Sequence, residues 1–356
     1  MSRFLSPRLE RLEPYVPGEQ PQNMEEFIKL NTNENPYPPS PAVLDALTRE
    51  EAARLRLYPD TQANEVRRAA ADLYGIDPEG VVCGNGSDEV LSLAFQAFCL
   101  GASARFADIT YGFYKVWADL YGVKKHIVPL KEDFSLDPAD YYDAGETCFI
   151  ANPNAPTGLA LPRAALEQVL RRNPASVVVV DEAYVDFGAE SCVPLTKTCD
   201  NLLVVQTLSK SRCLAGARLG LGIASPALAA DLQRGRGSFH PYNLNRLSIL
   251  AGPAALRDRP YFEKCTARVV ATREKTRAAL LALGCTVPQS RANFLFVRVP
   301  GIPGGEFCRR LRKLGILVRW FDAPRIDGYV RVTVGTEEQM EHFTAVTTAM
   351  VKEAAL

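Results

Sequence analysis

The chain has 356 residues, 47% apolar and 23% charged, with 41 basic and 41 acidic side chains. Balanced charge excludes the broad positive field that holds nucleic acid or an anionic membrane surface. No apolar run approaches the roughly 18 residues of a membrane span, and "MSRFLSPRLERLEPY" lacks the apolar core of a signal peptide. The nine cysteines are scattered and never spaced as CxxC, which favours reduced thiols in a cytosol over a disulfide framework or a zinc site. Three histidines, at 126, 240 and 342, leave little for a His-based metal centre. A cytoplasmic enzyme of two domains around one site is the expectation.

In chain order, the first forty residues carry eight prolines counted through Pro41, and proline fixes φ and removes donors. Residues 1–40 are therefore expected as an extended arm rather than a packed unit. Helical periodicity follows around Ala42–Arg56, Ala63–Tyr74, Asp88–Leu100, Arg163–Arg172, Ala227–Arg234 and Tyr261–Leu283. Between these fall short β-rich runs: "VVC" at 81, "TCFIAN" at 147, "SVVVVDEAY" at 176, "LLVVQT" at 202 and "LGLGIA" at 219. Val177–Val180 shows no polar alternation, as suits a strand buried on both faces of a mostly parallel sheet. Strands alternating with helices imply an α/β fold with right-handed crossovers. After the long helix the pattern changes: "NFLFVRV", "GILVRW" and "YVRVTVG" are short strands flanking a helix and followed by a final one. A large α/β domain over 41–255 and a small α+β domain over 256–356 are expected, with the arm packing near the latter.

Three stretches carry chemistry. The apolar strand "SVVVVDEAYVDF" delivers Asp181 to its C-terminal end, where open α/β sheets bind ligands. A lone aspartate there reads equally as an N-cap or a core-edge ion pair, and Tyr184 as a packed aromatic. Lys210, one strand later in "QTLSKSRCLAGARLG", has Thr207, Ser209 and Arg218 around it. An amine that attacks a carbonyl needs a depressed pKa, which a cationic neighbour supplies. The hydroxyls and the guanidinium could cradle a phosphate, the arginine bidentately. In "CGNGSDEVLSLAFQAF", Gly84 and Gly86 permit a tight strand-to-helix turn, and Ser87-Asp88-Glu89 opens a helix whose free N–H groups attract an anion.

Together these residues resemble a known family. "ANPNAPTG", "VVVVDEAY" and "TLSKSRCLAGARLG" are similar to the signature segments of aminotransferases of the aspartate-aminotransferase fold, which use pyridoxal 5'-phosphate. "KLNTNENPYPPSPAV", "RLYPD", "GNGSDE", "TYGFY" and "YVRVTVGT" resemble segments of the histidinol-phosphate aminotransferases, in their order, from about residue 15 to 350. The resemblance implies the type I fold of the pyridoxal-phosphate enzymes: a large domain with a mostly parallel seven-stranded sheet and a small α+β C-terminal domain. It further implies transamination between histidinol phosphate and 2-oxoglutarate in a homodimer with shared active sites.

Carried over by position, Lys210 would be the Schiff-base lysine and proton carrier. Asp181 would hold the pyridinium N–H, the protein's main electronic lever on such a cofactor. Tyr184 would donate to the ring's phenolate oxygen, and Tyr111 would stack on the ring. Thr207, Ser209, Arg218, Ser87 and Asp88 would hold the phosphate, and Tyr58 would reach into the partner subunit's site. The family commonly has asparagine directly before Pro-Thr-Gly, where this chain has Ala155. Either Asn154 takes over through an altered turn, or Tyr184 alone holds the phenolate oxygen.

Arg319 and Arg331 lie on strand-like segments near the C-terminus and read as solvated edge charges or as anion readers. Transamination needs one pocket for two substrates, and arginines suit both a carboxylate and a phosphate. By resemblance, Arg331 would take the anion with Arg319 assisting, while Tyr15 and Asn33 on the arm close over the substrate. His240 and Cys213 read as structural. An aromatic-amino-acid aminotransferase and a phospho-amino-acid decarboxylase are the alternatives on the same scaffold. A pyridoxal-phosphate-binding module of a transcription regulator would need a DNA-binding unit, for which there is no helix-turn-helix pattern and no net positive charge.

Overall fold

The computed structural model describes residues 2–354. Twelve strands occur in the described residues: β1 (Ile28–Lys29), β2 (Val81–Asn85), β3 (Ser103–Ala107), β4 (Lys124–Val128), β5 (Thr147–Ala151), β6 (Val178–Asp181), β7 (Leu202–Thr207), β8 (Leu219–Ala224), β9 (Phe294–Val297), β10 (Ile316–Leu317), β11 (Arg319–Trp320) and β12 (Val330–Thr333). The α-helices are α1 (Pro7–Glu10), α2 (Pro41–Ala46), α3 (Arg49–Ala53), α4 (Asn64–Tyr74), α5 (Ser87–Cys99), α6 (Phe113–Tyr121), α7 (Arg163–Arg172), α8 (Pro226–Phe239), α9 (Arg246–Arg257), α10 (Arg259–Ala282), α11 (Gly304–Lys313) and α12 (Glu337–Ala354).

The large sheet has seven strands in the order β2-β8-β7-β6-β5-β3-β4. Only β8 runs against the others, pairing antiparallel with β2 and β7. Alternate residues of β6 face opposite cores: Val178 and Val180 join one apolar cluster, Val179 the other. Burial on both faces is why this strand tolerates no polar alternation. The polarity of the sheet brings the C-terminal ends of β2, β6 and β7 and the N-terminal end of β8 to one edge.

A second sheet, β11-β12-β9, is antiparallel and packs with α10, α11 and α12 around its own core. The structure differs from expectation in one part of the arm, expected as extended rather than packed. β1 pairs parallel with β10, and Leu30, Asn31 and Asn33 are buried, so the segment around residues 28–33 is part of the small domain's packing rather than a loose extension. Parallel ladder bonds from Ile28 N to Gly315 O and from Leu30 N to Leu317 O fasten it there. The helix expected over 42–56 is broken: Thr48 caps a new start by accepting from Glu51 N at 3.2 Å. Among the described residues no helix is long and apolar enough to cross a membrane.

Candidate active site

A cavity of about 510 Å³ opens at the sheet edge where β2, β6, β7 and β8 converge, roofed by the small domain and the arm. Its wall holds Lys210, Asp181, Tyr184, Ser87, Asp88, Tyr111, Thr207, Ser209, Arg218, Tyr15, Asn33, Arg319 and Arg331, gathering residues spread over more than three hundred positions.

Lys210 follows β7 through Leu208 and Ser209. Its Nζ donates to the carbonyl of Thr32 at 3.1 Å, and Asn35 Nδ2 donates to its own carbonyl at 2.9 Å. Burial disfavours the charged amine, and Arg331 and Arg218 add repulsion, so its pKa is pulled down to about 8. Asp181 ends β6, fully within the core edge. It accepts from Tyr114 Oη at 2.8 Å and from Ala183 N at 3.2 Å, and burial pushes its carboxyl up to about 6. A buried carboxylate with two neutral donors and a cavity before it is suited to a cationic N–H from a ligand. Tyr184 Oη accepts from Asn33 Nδ2 at 2.9 Å.

An anion cradle lies at the start of α5. No side chain caps that helix, leaving its first N–H groups free. Thr207 Oγ1 donates to Ser209 Oγ at 2.9 Å, and Arg218 reaches Ser209 Oγ at 3.4 Å and Asp88 Oδ2 at 3.1 Å. Tyr111 Oη donates to the other Asp88 oxygen at 2.7 Å. The Asp88 carboxylate therefore orients Tyr111 and Arg218, while an anion would meet the backbone N–H groups. Gly86 is required here: its φ is +78°, and a Cβ would stand 2.4 Å from Arg218 Nη2.

On the opposite wall, β11 and β12 pair in a register that sets Arg319 directly across from Arg331, both lining the cavity. Like charges directly opposite are destabilising without an anion between them. Arg331 Nη2 donates to Asn31 O at 3.1 Å, but its buried Nε has no hydrogen-bond partner among the described residues. Arg319 donates to the carbonyls of Val16 at 2.7 Å and Pro17 at 3.1 Å, holding the arm, and Tyr15 stacks on Phe113 at 4.5 Å.

Two expected residues are not in this cavity. Asn154, expected at the cofactor, is corrected. Its Nδ2 donates to Ile109 O and Thr157 Oγ1, its Oδ1 accepts from Thr110 Oγ1, and Ala155 lines the cavity in its place. One shift in sequence turned the amide into a brace between loops. Tyr58 is 80% exposed and its ring packs tilted against that of Tyr242, 4.4 Å between centroids. Sequence reasoning missed Tyr114, the second tyrosine of "TYGFY", and Glu34, which lines the cavity and pairs with Lys29. Tyr114's placement depends on the α6 helix turning it inward, for which the aromatic run gave no signal.

The family model described as aminotransferase class I and II matches residues 25–346. A Bordetella parapertussis protein named histidinol-phosphate aminotransferase 1 is 50% identical over 96% of this chain and 97% of its own length. A Clostridium acetobutylicum protein named histidinol-phosphate aminotransferase is 46% identical over 96% of this chain and 97% of its own. Among solved structures, a Sinorhizobium meliloti histidinol-phosphate aminotransferase in complex with pyridoxal-5'-phosphate superposes with a TM-score of 0.88 at 22% identity, covering 99% of each chain.

Proposed function

The chain belongs to the aminotransferases of class I and II, and from that membership we propose that it transfers the amino group of L-histidinol phosphate to 2-oxoglutarate, giving imidazole-acetol phosphate and L-glutamate in histidine biosynthesis. The observation that carries this reading is the meeting, in one cavity, of a buried amine, a buried carboxylate and an uncapped helix N-terminus. These fit pyridoxal 5'-phosphate: Asp181 for the ring N–H, Tyr184 for the phenolate oxygen, Tyr111 for the ring face, and Ser87, Thr207, Ser209 and Arg218 with the Asp88 backbone for the phosphate. The Gly86 cradle, which a Cβ would fill, supports that fit.

Bound there, the cofactor supplies an electron sink for the charge that develops at the substrate Cα. Lys210, with a pKa near 8, offers a partly unprotonated amine that can take the Cα proton and return one. Arg331 with its unpartnered Nε, assisted by Arg319, receives the substrate phosphate in one half-reaction and the glutamate carboxylate in the other. Tyr15 and Asn33 close the cavity from the arm and exclude water. The domain limits belong to the same reading: arm over 1–40, large domain over 41–255, small domain over 256–356. So do a cytoplasmic location and a homodimer in which Tyr58 enters the partner subunit's site. Exposed Leu55 and Leu57, neighbours of Tyr58 in sequence, and Tyr242, whose ring lies 4.4 Å from that of Tyr58, support an interface there.

The test is the visible absorption of the protein with pyridoxal phosphate. A band that Lys210→Ala abolishes, bleached by micromolar histidinol phosphate but only by millimolar phenylalanine, supports the reading. The opposite order would make the arginines carboxylate readers of an aromatic aminotransferase, and no band would overturn the cofactor assignment.

A further inference from the structure

Between β11 and β12 the chain makes an exposed turn, and at its middle Arg325 adopts φ +71°. Left-handed backbone strains a non-glycine residue, because its Cβ crowds the following carbonyl oxygen, so glycine would be the unstrained choice. The side chain accounts for the arginine. Its Nη1 donates to Asp108 Oδ2 at 2.9 Å, and its Nη2 donates to the carbonyls of Leu130 at 2.8 Å and Lys131 at 2.6 Å. All three acceptors belong to the large domain, whereas Arg325 belongs to the small one. The ion pair alone is partly exposed and would contribute little. The fork to three acceptors is more than an ion pair.

The other side of the junction is also strained. Phe134, in the turn after β4, has φ +65°. It lies under the Arg325 guanidinium at 5.8 Å and meets Tyr329 and Phe296 of the small domain edge-on at 5.4 and 5.7 Å. Strained non-glycine residues persist where the surroundings over-determine them, and here two of them meet across one domain boundary. Asp108 in turn fixes the loop after β3 by accepting from Ile109 N at 2.8 Å and Leu130 N at 2.9 Å. Three residues on, that loop presents Tyr111 to Asp88 and so to Arg218.

We propose that Arg325 is a positioning residue: a clasp that ties the β11–β12 turn to the loop carrying Tyr111. It thereby fixes the distance between the cofactor floor and the paired Arg319 and Arg331. The clasp rests on the aminotransferase reading for its functional consequence, but not for its existence. Nothing in it touches substrate. Its effect is on the width of the cavity in which one pair of arginines must meet two different anions.

The test compares the holoenzyme with Arg325→Ala, Arg325→Gly and Arg325→Lys. Removing the fork should raise KM for histidinol phosphate and for glutamate together by about tenfold, with kcat changed much less. Glycine, which relieves the backbone, should do no better than alanine, and lysine should recover part of the loss. Hydrogen exchange gives the readout independent of activity: amides at 321–330 and at 128–136 should lose protection together in the alanine variant. Unchanged KM values, or full wild-type behaviour of Arg325→Gly, would overturn the clasp. So would loss of protection confined to 321–330. A wild-type protein inactive on histidinol phosphate, with the two segments still losing protection together, would sink the histidinol-phosphate reading and leave the clasp standing.

Discussion

Among the described residues Lys210 is the one lysine in the cavity wall, and its environment sets its chemistry. Burial first, then Arg331 and Arg218, lowers its pKa from 10.5 to about 8. In the cofactor-free protein its labelling by an amine-directed reagent should therefore rise through pH 8, well below the range of solvated lysines. An acylation profile read by peptide mass spectrometry checks this, and a half-point near 10.5 would refute it. At this scale much of the site was legible. Lys210, Asp181, Tyr184, Arg218 and both arginines of the small domain carry chemistry whose residue types are restrictive. Asn154 was misread because the choice between two adjacent amides depends on where a loop points, which spacing does not encode. Tyr114 and Arg325 were invisible for the same reason: each acts through a partner brought close only by the fold.

Elements show where local signals suffice and where packing overrides them. α7 and α4 were readable because their periodicity is regular and their limits carry ordinary stops; Gly75 ends α4 with φ +62°. β3 and β4 were missed: β4 is an edge strand reading "KKHIV", with only two apolar residues in five. α9 was missed because Gly252 and Pro253 sit inside it, and tertiary burial on both keeps it helical. Between elements, Glu182 ties the end of β6 to β7. It accepts from Gln206 Nε2 at 2.8 Å, Ser191 Oγ at 2.7 Å and the Cys192 N–H, and burial pushes its carboxyl up to about 7. Its folded pKa is raised above the ordinary 4.5, so the folded state binds more protons in that window and stability falls as pH rises through it. Glu182→Gln removes that titration. The stability difference between variant and wild type should shift in the variant's favour by roughly 1–3 kcal/mol from pH 5 to pH 8. Urea denaturation at the two pH values measures it, and a pH-independent difference would contradict the raised carboxyl.

At the scale of the whole molecule, the site as one chain builds it contains the amine, the carboxylate, the phosphate cradle and the anion readers, but not Tyr58. That tyrosine projects into solvent beside Tyr242, with Leu55 and Leu57, its neighbours in sequence, exposed as well. A two-fold dimer would bury that patch and present Tyr58 to the other subunit's cavity, since an isologous contact uses the same patch twice. Co-expression of two inactive variants distinguishes this arrangement from a self-contained monomer. A Lys210→Ala subunit retains Tyr58, and a Tyr58→Ala subunit retains Lys210, so each hybrid dimer holds one complete site. Random assembly should restore roughly one quarter of wild-type activity, because half the dimers are hybrids and each has one working site of two. Activity no greater than the mean of the two variants alone would rule out a Tyr58 shared between subunits, and the exposed leucines beside it would then need another occupant.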